Sequence, residues 1–250
     1  MQNTLLVGLS RQVALSRELD VVANNIANVN TTGFKAEGSV FEEFLNSNAR
    51  ADISGNRVSF VRDRGTWHDL SAGPVEKTGN PLDVAVDGNA LLVVQTPRGE
   101  RYTRNGSFQI NAQGQLVTSE GNPVLGEAGP ITFQPTDNQV SISADGTISV
   151  REGSATTDSQ RGTLRMVSVA NAQNLQKDGG STFSIAGETP QPTKASRIVQ
   201  GTIEKSNVRA VVEMTRMIEV TRSYTQIANM LSQQADLQKT SMNKLAEVPN

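Results

Sequence analysis

The sequence predicts an all-β central domain, an antiparallel sandwich or barrel, flanked by N- and C-terminal α-helices that pair as a coiled-coil-like bundle. Near both termini, apolar residues recur every three or four positions, which is the period of one helical face. Between them, apolar and polar residues alternate and turn dipeptides interrupt the pattern, which is typical of short strands. The expected organisation is an N-terminal helix over 1–30, an extended connecting arm over 31–71, a β-domain over 72–201 and a C-terminal helix over 202–250.

The N-terminal helix is predicted over Thr4–Val29, which contains one glycine and no proline. Asn3 is the candidate N-cap, and the segment Asn30–Gly33 has the residue types that end helices. The helix carries a narrow apolar stripe at steps of four and three residues: Leu15, Leu19, Val22, Ile26 and Val29.

The C-terminal helix is longer, with Asn207 as a plausible cap and Pro249 just past its end. Its predicted stripe is Ala210, Met214, Met217, Thr221, Tyr224, Ala228, Leu231, Ala235, Gln238, Met242 and Leu245. The two helices would be about 40 Å and about 60 Å long, so part of the longer stripe has no partner in the shorter helix. An exposed apolar strip indicates an interaction site; the alternative is that the β-domain folds back over it.

We expect the subunit interface to lie on these two stripes and on the asparagines beside the first. Asn24, Asn25, Asn28 and Asn30 are poor helix formers, and we interpret them as a buried ladder of amides that fixes the register against neighbouring helices. A solvated polar ridge is the alternative. The predicted interface residues are Leu15, Leu19, Val22, Asn25, Ile26, Asn28, Val29, Met214, Met217, Tyr224, Leu231, Met242 and Leu245.

In the β-domain, the strongest local signal is the hairpin Val140–Val150 around the turn Asp145-Gly146. The window 141–152 has a weak likeness to a calcium loop, but its flanks alternate as strands, so a plain hairpin is favoured. The other predicted strands are Leu82–Val86, Leu91–Thr96, Ser107–Ile110, Gln115–Thr118, Ile131–Gln134, Leu164–Val169, Thr182–Ile185 and Arg197–Val199.

Composition excludes several classes of function. The net charge is −2, which leaves no basic surplus for nucleic acid. Zero cysteines and one histidine, His68, exclude thiol chemistry and multi-histidine metal sites. Aromatic residues are only 4% of the chain, and the longest apolar run, Ala90–Val94, is too short to span a bilayer. We therefore expect no catalysis, no cofactor, metal, small-molecule substrate or nucleic acid, and no membrane insertion.

Three sets of motifs resemble the bacterial flagellar rod and hook family. They are ANNIANVNTTGFK at 23–35, SNVRAVVEMTRMIEVTRSY at 206–224, and in the centre TGNPLDVAVDG at 78–88 with YTRNGSFQINAQGQLVTSEGNPVLGE at 102–127. The resemblance implies a structural subunit that is exported without signal cleavage and polymerises into the periplasmic drive shaft. It also implies partners: other proximal and distal rod proteins, and further copies of the chain.

Within that family, three features favour a proximal over a distal rod member: the length of 250, the run Leu91–Val94, and the blocks GPITF and VSISADGTISV at 129–133 and 140–150. Two other functions stay open on the residues alone. One is an adaptor that joins or caps filaments. The other is a secreted hydrolase that uses His68, Asp69 and an unidentified serine.

Overall fold

The structure is a computed structural model that describes residues 2–50, 57–153 and 157–246. It confirms the N-terminal helix, the β-rich central region and the C-terminal helix. The sheets are open, and no closed barrel forms among the described residues.

The helices are α1 (Gln2–Ala27) and α2 (Ala210–Ala246), about 39 Å and about 55 Å long at 1.5 Å per residue. The strands are β1 (Glu37–Arg50), β2 (Arg57–His68), β3 (Val75–Lys77), β4 (Val84–Asp87), β5 (Leu91–Thr96), β6 (Gly99–Thr103), β7 (Phe108–Ile110), β8 (Leu116–Thr118), β9 (Leu125–Gly126), β10 (Gly129–Pro130), β11 (Asp137–Ile142), β12 (Thr147–Glu152), β13 (Asp158–Thr163), β14 (Met166–Ser168), β15 (Leu175–Lys177), β16 (Thr182–Ile185), β17 (Gln191–Pro192), β18 (Arg197–Gln200) and β19 (Thr202–Glu204).

Both predicted helix caps are wrong. Helix α1 begins at Gln2, so Asn3 lies inside its first turn. Helix α2 begins at Ala210, and the Asn207 side chain binds other segments instead. Its Oδ1 accepts a hydrogen bond from the Ala36 amide at 2.8 Å, and its Nδ2 donates to the Asp69 carbonyl at 2.8 Å.

The described chain divides into two compact units. The terminal unit comprises Met1–Ile26, Glu37–Trp67 and Ala210–Asn250; the central unit comprises Ala27–Ala36 and His68–Arg209. The segment 31–71 therefore contributes its two ends to the central unit, while its middle forms most of the two-stranded sheet β1–β2 in the terminal unit. Neither sequence period reveals these two strands.

The largest sheet of the central unit has six strands in the order β15-β16-β6-β5-β14-β17, with antiparallel neighbours. Strand β5 has the bounds that the sequence predicts, and its residues Leu91–Val94 are at most 1% exposed. Leu92 and Val94 belong to one apolar cluster, whereas Leu91 and Val93 belong to a second cluster with Tyr102 and Phe183. Both faces of β5 are thus covered, which explains a continuous apolar run instead of an alternating one.

The hairpin prediction is confirmed, because β11 and β12 pair antiparallel around Asp145-Gly146. Gly146 has φ of +87°, a left-handed conformation that suits glycine. Strand Thr182–Ile185 is also confirmed as β16. Ile131–Gln134 is wrong as a strand: only Thr132 makes an isolated bridge, to Gln115.

A buried ion triad holds together four distant segments of the central unit. Glu204 Oε1 accepts hydrogen bonds from Lys35 Nζ at 2.6 Å and from the Gly73 amide at 2.9 Å, and Glu204 Oε2 accepts from Arg104 Nε at 2.9 Å. All three charged residues are at most 2% exposed. Lys35 Nζ also donates to the Ser71 carbonyl at 2.6 Å. The segment after α1 and the segment before α2 therefore meet at one carboxylate.

The triad is closely packed and fully hydrogen-bonded at its guanidinium. Arg104 also donates to the carbonyls of Val86, Gly88 and Ala90 at 2.6–2.9 Å. Desolvation by burial lowers the pKa of Lys35, and the hydrogen bond and charge of Glu204 oppose that shift. Breaking such a pair leaves a buried charge uncompensated.

We predict that Lys35→Met lowers the free energy of unfolding of the central unit by about 3–5 kcal/mol, because Glu204 loses a buried cation. Denaturant unfolding followed by the circular dichroism of the β-rich central unit measures the change. The matched control is Lys194→Met, at an exposed lysine, which should stay within about 0.5 kcal/mol of the parent. Equal stability of the two variants would contradict the role of the triad.

Candidate assembly site

Helices α1 and α2 contact each other within the terminal unit, and the contacts run in opposite directions along the two helices. Gln12 Nε2 donates to the Tyr224 hydroxyl at 3.1 Å, and Arg216 Nη2 lies 2.8 Å from Glu18 Oε1. Farther along α1, Asn25 Nδ2 donates to Glu213 Oε2 at 3.3 Å. Residue numbers rise along α1 as they fall along α2, so the two helices lie antiparallel.

The closest approach in this pair is at Gly8. A Cβ atom at that position would lie 2.7 Å from Leu231 Cδ2. Glycine therefore leaves room for the leucine side chain, which is half-buried against α1. The polar pairs and this contact together restrict the register of the two helices, because a shifted alignment would separate their partners.

The covered face of α2 shares every second position with the predicted stripe, and the positions between them are displaced by one residue. Half-buried or buried residues recur at steps of four and three: Glu213, Met217, Val220, Tyr224, Ile227, Leu231, Gln234 and Gln238. Met217, Tyr224, Leu231 and Gln238 are common to both sets. The predicted Thr221 is exposed and Ala228 only half-buried, whereas Val220 and Ile227 are 6% and 9% exposed. The contact within the chain therefore uses the larger apolar side chains, because they remove more apolar surface from water. The predicted stripe follows a longer run of positions but has smaller or polar residues at these points.

The predicted interface residues have three kinds of environment. Val22 and Asn25 are 1% exposed. Met214 and Met242 are exposed, at 51% and 69%. The half-buried residues are Leu15, Leu19, Ile26, Asn28, Val29, Met217, Tyr224 and Leu231. The Leu245 side chain lies outside the described residues.

Asn25 has a local role that the sequence does not predict. Its Nδ2 donates to the Glu37 carbonyl at 2.8 Å, and its Oδ1 accepts from the Glu37 amide at 2.9 Å. The buried amide thus completes both backbone groups of the first residue of β1. Asn28 instead accepts a hydrogen bond from the Thr31 hydroxyl at 3.1 Å in the following turn. We therefore interpret Asn25 as a residue that positions β1, and not as part of a ladder between subunits.

Exposed apolar residues that the predicted stripes omit are found on both helices. On α1, Leu6, Leu9 and Val13 are 49%, 47% and 51% exposed. On α2, Val211 and Ile218 are 77% and 61% exposed. Each set follows steps of three, four or seven, so a second apolar period was present in the sequence. Beyond α1's contacts, residues 239–244 of α2 are all exposed.

Other chemistry is not favoured by the geometry. His68 is 2% exposed and packs edge-on against Phe183, so its ring is not accessible to a hydrolase substrate. In the part of the chain that the structure describes, no cluster of three or more His, Asp or Glu side chains could hold a metal ion. None of the described helices has the length and apolarity needed to cross a membrane.

Three family models of flagellar rod and hook proteins match the chain, which places it in the class of flagellar rod and hook proteins. "Flagella basal body rod protein" matches residues 5–35, "Flagellar hook protein FlgE/F/G D1 domain" matches 85–150, and "Flagellar basal body rod FlgEFG protein C-terminal" matches 199–245. These segments correspond to α1 and its turn, the central strands, and β19 with α2.

The chain belongs to the flagellar basal-body rod protein family. It is 39% identical to the rod protein FlgF of Caulobacter vibrioides over 99% of this chain and 100% of the relative. It is 36% identical to FlgF of Mesorhizobium japonicum over 94% of each chain, and 30% identical to FlgG of Bacillus subtilis over 97% of this chain and 99% of that one. The chain is accordingly a FlgF-like structural subunit of the basal-body rod.

We predict that Asn25→Ala speeds hydrogen exchange at the Glu37 amide by about tenfold, because that amide loses its acceptor. Hydrogen exchange of the full-length chain, followed by mass spectrometry of the peptides that contain Glu37, measures the effect. Asn30→Ala is the control, since Asn30 is exposed in the turn after α1. Unchanged exchange at Glu37 in the Asn25 variant would refute the positioning role.

Proposed function

We propose that the chain polymerises through α1 and α2 into the periplasmic rod that transmits motor torque. The terminal helices bundle with helices of neighbouring subunits in a coiled-coil-like manner. The observation that carries this proposal is the set of exposed apolar residues on both helices, because monomers seldom leave such strips in water.

The contacts between subunits are expected to be heterologous, so that each added copy leaves a free surface for the next. The partners are other rod proteins and copies of the chain itself. From the predicted set, Met214 and Met242 are the best candidates for direct contact between subunits, since they are exposed. The proposal also includes export of the chain through the flagellar apparatus without cleavage of a signal peptide.

The FlgF type is supported by identities of 39% and 36% to two FlgF proteins over nearly full length. The FlgG type is the alternative, because FlgG of Buchnera aphidicola subsp. Baizongia pistaciae is also 35% identical over 90% of this chain. A junction protein between rod segments would share these features.

Complementation separates the FlgF and FlgG types. The gene for this chain, placed in a bacterium that lacks its own FlgF, should restore swimming in soft agar, because a rod lacking one subunit type cannot be completed. The same gene in a strain that lacks FlgG is the control and should restore nothing. Rescue of the FlgG-deficient strain alone would favour the alternative.

A second prediction concerns the helix pair. Leu231→Asp places a carboxylate against Gly8, where burial without a partner costs several kcal/mol, on the order of a lost core contact. We expect loss of rod assembly, seen by electron microscopy and sedimentation, while the central unit melts at the temperature of the parent. Gln233→Asp is the control at an exposed position two residues away. Normal assembly of the Leu231 variant would contradict the role of the helix pair.

A further inference from the structure

Each terminal helix has a second face that the other helix of the same chain does not cover. On α1 the residues of this face, called here the α1 outer stripe, are Leu6, Leu9, Val13, Ser16, Asp20 and Ala23. The α2 outer stripe is Val211, Met214, Ile218, Thr221, Thr225, Ala228, Ser232 and Ala235. Every member is exposed except the half-buried Ala228. Both stripes follow alternating steps of three and four, the spacing of a helix that packs along its length.

In both outer stripes, the side chains become smaller from the N-terminal end of the helix toward its C-terminal end. In α1 the large apolar residues Leu6, Leu9 and Val13 come first, and small or polar residues follow. In α2 the large residues Val211, Met214 and Ile218 come first, and small residues fill the remainder. An antiparallel pairing of the two stripes would therefore place large side chains opposite small ones at both ends. A parallel pairing would place the large ends together and the small ends together.

The part of the α2 outer stripe with small residues, which begins at Thr221, is less polar than its residue types indicate. Thr221 Oγ1 donates to the Met217 carbonyl at 2.7 Å, and Thr225 Oγ1 donates to the Thr221 carbonyl at 2.8 Å. Because these hydroxyls are hydrogen-bonded within their own helix, the threonines can offer methyl groups to a partner without leaving a donor unsatisfied.

We propose that the α2 outer stripe binds the α1 outer stripe of a second copy of this chain, antiparallel, with Leu6 opposite Ala235, Leu9 opposite Ser232 and Val13 opposite Ala228. The proposal rests on the proposed function and identifies the surface through which copies join. The occupant is another copy because α1 of the same chain already contacts α2 through Gly8, Gln12 and Glu18.

Charge supports the same register. With Leu9 opposite Ser232, Asp20 of the second copy lies opposite Thr221 and beside Arg222. Both Asp20 and Arg222 are exposed, and neither forms an ion pair within the part of the chain that the structure describes. An Asp–Arg pair at this point adds specificity for the aligned register over shifted ones.

Disulfide trapping tests the register directly, because the parent chain has no cysteine. Full-length Leu9→Cys carrying a mass tag is mixed with untagged Ser232→Cys under conditions in which the parent self-associates, and then oxidised. Because each variant has a single cysteine, a disulfide between the tagged and the untagged chain reports a contact between two chains. Disulfides require Cα atoms about 4.4–6.8 Å apart, so the mixed dimer should form several-fold more readily than with either control chain. The controls are Gln233→Cys, off the stripe, and Met214→Cys, at the end that a parallel pairing would bring near Leu9.

The possible outcomes distinguish failure of the proposed register from failure of the proposed function. A dominant Leu9–Ser232 link supports the proposal, whereas association with equal or greater linking to a control position overturns it and leaves the proposed function intact. If the parent chain sediments only as a monomer at every concentration and remains so after adding another rod protein, the proposed function fails as well. Association only with the other rod protein overturns the choice of a second copy.

A charge exchange provides an independent measurement. Asp20→Arg and Arg222→Asp should each weaken self-association several-fold, and the double variant should restore it. Failure of the double variant to recover, with the central unit still folded by circular dichroism, would overturn the proposed register.

Discussion

The structure of the central unit depends on the hydrogen bonds and ion pairs of the Glu204 carboxylate. One carboxylate oxygen accepts hydrogen bonds from Lys35 and the Gly73 amide, and the other accepts from Arg104. The backbone carbonyl of Glu204 accepts a hydrogen bond from the Gly33 amide at 2.7 Å. Gly33 is required at this point for two reasons: its φ is +68°, and a Cβ atom would lie 2.3 Å from the Asn105 nitrogen. The points where the chain leaves for α1 and α2 are therefore fixed by the same buried charge. A hydrophobic substitute could match the stability of such a triad, but it would not impose the same hydrogen-bond geometry on four segments.

The sequence predicted those parts of the fold that have a strong apolar signal or turns with distinctive residues. Strand β5 and the β11–β12 hairpin belong to this class. Strand β6 was missed because Gly99–Thr103 pairs with β5 through its backbone and has no apolar alternation of its own. Strands β1 and β2 pair with each other and also lack a clean apolar alternation. Ile131–Gln134 failed in the opposite way, because its apolar residues are buried without forming a ladder. The spacing of apolar residues indicates which side chains are buried. It indicates backbone pairing only where the buried residues also belong to a strand.

At the candidate assembly site, the period of apolar residues predicts only part of the contact between the two helices. The sequence located both helices and half of the α2 contact positions, since Met217, Tyr224 and Leu231 recur every seven residues. The contact within the chain instead uses Val220 and Ile227, which are more apolar than Thr221 and Ala228 of the predicted stripe. For contacts between subunits, the stripe through Thr221 and Ala228 stays a prediction. The roles of Lys35, Glu204 and Arg104 had no local signal. Each is an ordinary charged residue in the sequence, because the two ion pairs join residues that are 169 and 100 positions apart.

The two faces of each helix differ in how they achieve specificity. The contact inside the chain includes polar pairs, Gln12–Tyr224, Glu18–Arg216 and Asn25–Glu213, which penalise any shift because a displaced donor or acceptor must find another partner. The outer stripes have only graded size and one candidate charge pair. We infer that this division lets the helix pair form first and in a single register, since its polar contacts do not need a second copy. A surface graded in size then distinguishes one direction along the helix from the other, and such polarity is what a subunit needs to add to one end of a growing rod.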